Sequence, residues 1–186
     1  VVEREPITIN FLGAHLTTAP PPSSGGTTIA TILNIISEFD FSGMETSARA
    51  HLIVEAMRRA YRDRAFYLGD PDFVDIPIRK LISKEHALDL AQSIDMDAAT
   101  PIHKDDQLDG KLAWNEGAHT SHFSILDMNG NRAAVTQTIN TWFGSGYMLP
   151  SSGLILNNEM DDFSAKPFTP NRYGLVHGEQ NSIQPN

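Results

Sequence analysis

Ala118-His119-Thr120-Ser121-His122-Phe123-Ser124-Ile125 is where the hydrophobic period of the chain changes from helical to strand-like, and its reading decides the fold. It places a threonine at the head of an alternating apolar strand, just after a polar linker, Asn115-Glu116-Gly117. A threonine hydroxyl is a weak nucleophile unless a base lies within hydrogen-bond reach. Cutting the chain just before the residue supplies one, the freed α-amine. On pattern alone Thr120 reads first as a strand-edge residue of good β-propensity, and spacing by itself makes no threonine catalytic.

Outward from Thr120, Phe123 and Ile125 alternate with Ser124, Asn129-Gly130 turns the chain, and Ala133 to Thr138 returns as a second strand. This is a hairpin signal. A three-residue loop of Met128, Asn129 and Gly130 makes Asp127 face Asn131, and counting outward Thr120 faces Thr138. A two-residue Asn-Gly loop would instead pair Thr138 with Ser121 and turn it away from Thr120. The three-residue register, which sets a second hydroxyl beside the first, is the expectation.

Upstream, residues 7–19 alternate loosely and read as extended segments. Pro20-Pro21-Pro22-Ser23-Ser24-Gly25-Gly26 reads as a loop whose glycines let backbone come close to something. Ile29, Ile32, Leu33 and Ile36 fall at helical spacing, which predicts a helix over 27–38. Ser42 and Glu45 form a capping box ahead of a second helix. Ala50, Ile53, Val54, Met57 and Tyr61 are its expected buried stripe, opposite Arg58, Arg59, Arg62 and Asp63, and Gly69-Asp70-Pro71 ends it. A third helix fits 84–93, and 95–117 reads as a polar, mobile connection. Downstream, Leu154-Ile155-Leu156 reads as a short buried strand.

At 186 residues the chain can hold one domain with a real core. A formal charge of −9 argues against nucleic acid or an anionic membrane surface as the main partner. No apolar run approaches the roughly 18 residues of a membrane span, and no signal-peptide pattern opens the sequence. The absence of cysteine excludes disulfides, thiolate metal sites and cysteine nucleophiles. Both ends read like the interior of a domain, so a piece of a longer protein is expected.

Asn157-Asn158-Glu159-Met160-Asp161-Asp162-Phe163 follows a strand end. Its carboxylates and amides suit an ammonium group, although a solvated acidic loop fits as well, and the spacing of an EF-hand is missing. Asp70, Asp72 and Asp75 read as turn and cap residues. His119 and His122 could be half a metal site, but on a strand they face opposite ways and no carboxylate ligands adjoin them. Neither Gly144-Ser145-Gly146 nor the proline-glycine loop has a phosphate-binding spacing, so nucleotide binding is not supported.

Taken together, several of these strings resemble the gamma-glutamyltranspeptidases, also called glutathione hydrolases. The matching pieces are Pro20 to Gly26, Tyr67-Leu68-Gly69-Asp70-Pro71-Asp72-Phe73-Val74, Thr120 to Ser124, Thr138-Ile139-Asn140, Phe143-Gly144 and Ser152 to Ser164. They span nearly the whole chain in the family's order, and the last is the most specific. The resemblance implies an α+β protein, an incomplete portion of the αββα sandwich of an N-terminal-nucleophile hydrolase. It also implies a precursor that cuts itself between His119 and Thr120, leaving 1–119 in a large subunit and 120–186 in a small one. These would form a heterodimer.

On that resemblance Thr120 is nucleophile and, through its α-amine, base. Its Oγ would attack the γ-glutamyl amide of glutathione and related donors, and water or an amino acid or dipeptide acceptor would resolve the acyl-enzyme. Thr138 matches the threonine that bonds the nucleophile. Asn140, Glu159 and Asp162 match the residues holding the donor's α-amino group. The stretch 165–175 resembles a lid, with Tyr173 as its aromatic cover. No cofactor or metal is implied, and the family's setting is periplasmic or secreted. Ser121 and Glu159 stand where many members have threonine and some have glutamine. The family's oxyanion donors fall beyond Asn186, and its carboxylate-binding arginine falls before Val1. The alternatives are a non-catalytic homologue acting as a binding or structural module, and a relative such as a cephalosporin acylase. The Asn140, Glu159 and Asp162 set counts against the acylase, because it asks for a free amino group on the donor.

Overall fold

A computed structural model describes residues 2–101 and 120–183. The first elements are a hairpin, β1 (Ile7–Phe11) and β2 (Ala14–Thr18), paired from Ile7↔Thr18 to Phe11↔Ala14. Leu12 and Gly13 between them both have positive φ, 48° and 82°. That is the primed two-residue turn whose twist suits a hairpin. Ile7 and Ile9 point down onto Ala30 of helix α1 (Ser24–Ile36) and form one small core with it.

Helix α1 begins earlier than its apolar spacing predicts. The proline-glycine stretch already turns into helix at Ser24, and a Cβ on Gly26 would lie 2.0 Å from the carbonyl oxygen of Ala19. The glycine thus lets the helix start directly over the end of β2. Of the helix's expected apolar face, Ile36 is buried and Ile32 and Leu33 pack against the cores, whereas Ile29 is exposed and Thr27, Thr31 and Ile35 are buried as well. Thr31 is tolerated inside because its hydroxyl donates to the carbonyls of Thr27 and Leu81, at 3.0 and 3.2 Å, while the buried Thr27 hydroxyl finds no partner among the described residues.

Helix α2 (Thr46–Tyr67) overturns two expectations. There is no capping box: Glu45 is the N-cap, without a side-chain bond, and the Ser42 hydroxyl and amide are spent on Asp40. The expected stripe, Ala50, Ile53, Val54, Met57 and Tyr61, lies outward. The face against α1 and α4 (Lys84–Gln92) is built instead from Leu52, Ala56 and Ala60, with Glu55 and Arg59 between them. Small alanines let the helices approach closely, and the charged pair is buried because it is self-satisfying. The Arg59 guanidinium donates to Glu55 Oε2 at 2.6 Å, and the Thr100 hydroxyl and the Arg58 guanidinium donate to the same carboxylate. Burial raises the Glu55 pKa, but the hydrogen bonds from Thr100 and Arg59 outweigh it and hold the group at about 2. Thr100 belongs to the stretch expected to be mobile, and these bonds pin its described start. Residues 102–117 of that stretch lie outside the described residues.

Ser83 caps α4 by accepting from His86 N–H at 3.1 Å, as the expected helix 84–93 requires. A short helix α3 (Ile78–Leu81) before it escaped the sequence reading. It seats Leu81 against Leu68 and Ile76, a third small core. Asp70 makes the turn expected of it, its carbonyl accepting from the amides of Phe73 and Val74.

The second hairpin is β3 (Ser121–Leu126) and β4 (Arg132–Gln137), paired from Ser121↔Gln137 to Leu126↔Arg132. The pairing is the three-residue register. Asp127 N–H donates to Asn131 O at 3.0 Å, and Gly130 takes φ 82°. Every residue of both strands is exposed. Leu154, Ile155 and Leu156 are not a buried strand: they are exposed, and only Ile155 makes a bridge, to Met148. The α+β class holds, but each described hairpin pairs only with itself, so no stacked pair of sheets is assembled within the described residues.

Candidate active site

Beyond the last pair of the hairpin ladder, the register carries Thr120 and Thr138 to the same end and the same face. Both line a cleft of about 250 Å³. The remaining walls are Asn140, Glu159, Asp162, Tyr173 and Leu175. All six residues singled out in the sequence therefore meet in one concavity, from three stretches of chain. The expected cut between His119 and Thr120 involves a residue outside those described.

Asn140 is the joint. It is buried and takes φ 73°, a left-handed conformation that asparagine tolerates better than most residues. That turn folds its N–H back onto Thr138 Oγ1 at 2.9 Å and aims its side chain at the carbonyl of Asn158, which accepts at 3.1 Å. The phenol of Tyr173 donates to the carbonyl of Asn140. With Thr138 Oγ1 accepting from Asn140, its hydroxyl proton remains to be donated elsewhere, and Thr120 lines the same cleft.

In the sequence Asn158 is only one of a cluster of amides. Its Oδ1 accepts from both the amide and the hydroxyl of Thr141, at 3.2 and 3.0 Å, and its N–H donates to Ile139 at 3.4 Å. It thereby ties the acidic loop to the strand end. Gly144 allows the same closure: a Cβ there would meet the carbonyl oxygen of Leu156 at 2.1 Å.

Glu159 and Asp162 occupy one short 3-10 turn, Glu159–Asp162, which brings two carboxyl groups to one wall. Burial, then a side-chain hydrogen bond with Asp162 and the charge of that group, raise the Glu159 pKa. Burial, then Asp162, also raises the Tyr173 phenol. A compact cation hydrogen-bonding to both carboxyls would relieve this, so the wall suits an ammonium group. Tyr173 is carried by a turn in which Asn171 Oδ1 accepts from the amides of Tyr173 and Leu175, each at 3.0 Å. The Pro170-Asn171 pair is a turn signal that could have located it.

His122 is not free to bind a metal in this arrangement: its ring nitrogens contact Thr136 Oγ1 at 2.8 Å and Ser124 Oγ at 3.2 Å. Among the described residues no three His, Asp or Glu side chains cluster as a metal site would require. No helix there is long and apolar enough to cross a membrane.

The sequence model of the family described as Gamma-glutamyltranspeptidase matches residues 1–186. The glutathione hydrolase proenzyme of Escherichia coli K12 is 46% identical over 187 residues, covering 100% of this chain and 32% of that protein. The solved gamma-glutamyltranspeptidase of Helicobacter pylori is 42% identical over 53% of this chain and 29% of its own, with a TM-score of 0.50. A solved cephalosporin acylase of Bacillus halodurans superposes on 96% of this chain and 31% of its own at TM-score 0.66, and at 23% identity that likeness bears on the fold alone. The chain spans about a third of the length of the curated relatives it matches.

Proposed function

The chain belongs to the gamma-glutamyltranspeptidase family, and on that premise we propose that the protein it comes from is a self-processing γ-glutamyl transferase and glutathione hydrolase. The observation that carries this reading is the single cleft uniting the Thr120 and Thr138 hydroxyls with the Glu159 and Asp162 carboxyls. A γ-glutamyl amide presents an ammonium group at one end and a scissile carbonyl three carbons away, and those groups face the two ends of such a cleft.

In this reading the bond between His119 and Thr120 is cut, which divides the domain into 1–119 and 120–186, two subunits that remain together. The freed α-amine of Thr120 takes the proton as Oγ attacks the γ-carbonyl. Thr138 donates to the attacking oxygen and holds its rotamer, while Asn140 fixes Thr138 from behind. Asp162 and Glu159 receive the donor's ammonium, and Asn140 adds a neutral acceptor. Tyr173 covers the donor. Breaking the amide releases the amine half, and water or the amino group of an acceptor then attacks the acyl-enzyme. The oxyanion donors and the partner of the donor's α-carboxylate come from parts of the protein outside residues 1–186; loss of one oxyanion donor costs about two to three orders of magnitude in rate. The described hairpins and helices belong to an αββα sandwich of the N-terminal-nucleophile type. The setting is extracytoplasmic, either periplasmic or secreted.

The test is donor discrimination by the full-length processed protein. A γ-glutamyl anilide should turn over at least about a hundredfold faster than the glutaryl anilide, which lacks only the amino group. Equal rates would replace this reading with an acylase of the same family.

A further inference from the structure

One strap of chain, 164–178, carries Tyr173 and Leu175 and returns from the cleft to the carboxyl end of α2. Three contacts fasten it there. Gly178 N–H donates to the carbonyl of Ala65 at 2.9 Å. The rings of Phe168 and Phe66 lie 5.9 Å apart between centroids. The Arg64 guanidinium donates through Nη2 to His177 Nε2 at 3.3 Å and through Nε to Ser24 Oγ at 3.1 Å. The strap is also closed on itself, Phe168 N–H donating to His177 O at 2.8 Å.

The seam is tight. A Cβ on Gly178 would lie 2.9 Å from the Ala65 carbonyl oxygen, and one on Gly69 would lie 2.3 Å from that of Gln180. Beneath it is a second cavity, of about 400 Å³, with Arg64 and His177 in its wall. Asp162 and Leu175 line this cavity and the active-site cleft alike. Among the described residues Arg64 makes no ion pair. A guanidinium cannot accept a hydrogen bond, so His177 must meet it with an unprotonated nitrogen. Burial, reinforced by Arg64, agrees by lowering the His177 pKa to about 4.

We propose that Arg64 is a positioning residue for donor binding. From the far side of the expected cut it pins His177, and so sets the distance between Tyr173 on the strap and Asp162 on the turn. This deepens, and rests on, the γ-glutamyl reading of the cleft. The contact is directional: Nε serves α1 and Nη2 serves the strap, so the planar fork joins two elements that a point charge would not.

The experiment uses the full-length processed enzyme, a γ-glutamyl anilide as donor, and amide hydrogen exchange. Arg64→Ala should raise the donor KM about tenfold, the loss of one hydrogen bond to a charged group, with kcat within about threefold of the parent. Exchange at Phe168 and Gly178 should quicken. His177→Leu should reproduce the effect, whereas His177→Gln, whose side-chain oxygen can accept from Arg64, should restore KM. These two variants keep the test open if Arg64→Ala fails to fold. An unchanged KM in all variants would overturn the proposal. So would kcat falling with KM constant, or His177→Gln behaving like His177→Leu. If the unmodified enzyme turns over no γ-glutamyl anilide, the reading of the cleft itself has failed, and this inference falls with it.

Discussion

Residues 2–101 and 120–183 differ in what holds them. The first region has three small cores, centred on Ile35 and Ala56, on Ile9 and Ala30, and on Leu68 and Leu81. The second has a hairpin exposed on both faces and a site held by side chain to backbone bonds through Asn140, Asn158 and Asn171. Helices close their hydrogen bonds locally and need only a strip of apolar contact. A two-stranded sheet is marginal until something covers it. The helical half is therefore the scaffold, and the half bearing the cleft takes its shape from polar turns that lean on the carboxyl end of α2.

This contrast can be broken from either side. The largest effect should come from Leu52→Ala, in the fully buried face of α2, which should cost about 2–5 kcal/mol in denaturant unfolding. A loss below about 1 kcal/mol would mean that the helical core is not what organises the chain. Next, Asp162→Asn in the full-length processed enzyme should raise the donor KM by about thirtyfold, the loss of one charge-assisted hydrogen bond, with little effect on thermal stability. An unaltered KM would detach the acidic turn from donor binding.

Acid should separate the two regions in a fixed order. His177 is pushed down to about 4 from an ordinary 6.5, so it is neutral when folded and protonates more readily when unfolded. Its contribution is complete above pH 6.5 and is lost as pH falls towards 4. Glu55 is held at about 2 against an ordinary 4.5, so its contribution is complete above pH 4.5 and fades only as pH falls towards 2. Amide exchange across a pH series should show the strap seam loosening before the α2 core. The reverse order would contradict both assignments. The smallest effect should be Phe123→Ala in the 186-residue chain, within about 0.5 kcal/mol because the hairpin is exposed. The same change in the full-length protein should cost about 3 kcal/mol if a further layer covers that face.

Much of the site was legible because its chemistry sits in short polar strings with few alternatives. Counting the hairpin outwards from Gly130 sets Thr138 opposite Thr120. The charge of residues 157–163, by contrast, fits a solvated loop as well as an ammonium site, and the family resemblance is what singles out Asn140, Glu159, Asp162 and Tyr173. What was illegible depended on partners. The outward stripe of α2 looked like a core face because Ile53, Val54 and Met57 are more apolar than Ala56 and Ala60. Apolarity, however, does not say which face meets α1, and a buried Glu55–Arg59 pair reads in sequence as solvent-facing. Ser42 matched a capping box, but Asp40 two residues away competes for its hydroxyl. Leu154 to Leu156 read as buried because nothing in their run reveals that, among the described residues, they pair only with the short segment Ser145 to Leu149 and no core covers them. The anchoring of the strap by Arg64 spans 113 residues, a separation no local pattern encodes.

The central claim is that Thr120 is a nucleophile released by cutting its own peptide bond. Intact mass of the full-length protein under denaturing conditions, for the parent and for Thr120→Ala, tests it most directly. The parent should yield two species whose masses sum to the whole plus one water, the smaller beginning at Thr120, and Thr120→Ala should remain a single uncut chain without γ-glutamyl turnover. A Thr120→Ala chain that still splits at this bond, or a parent that turns over donor without splitting, would contradict the account.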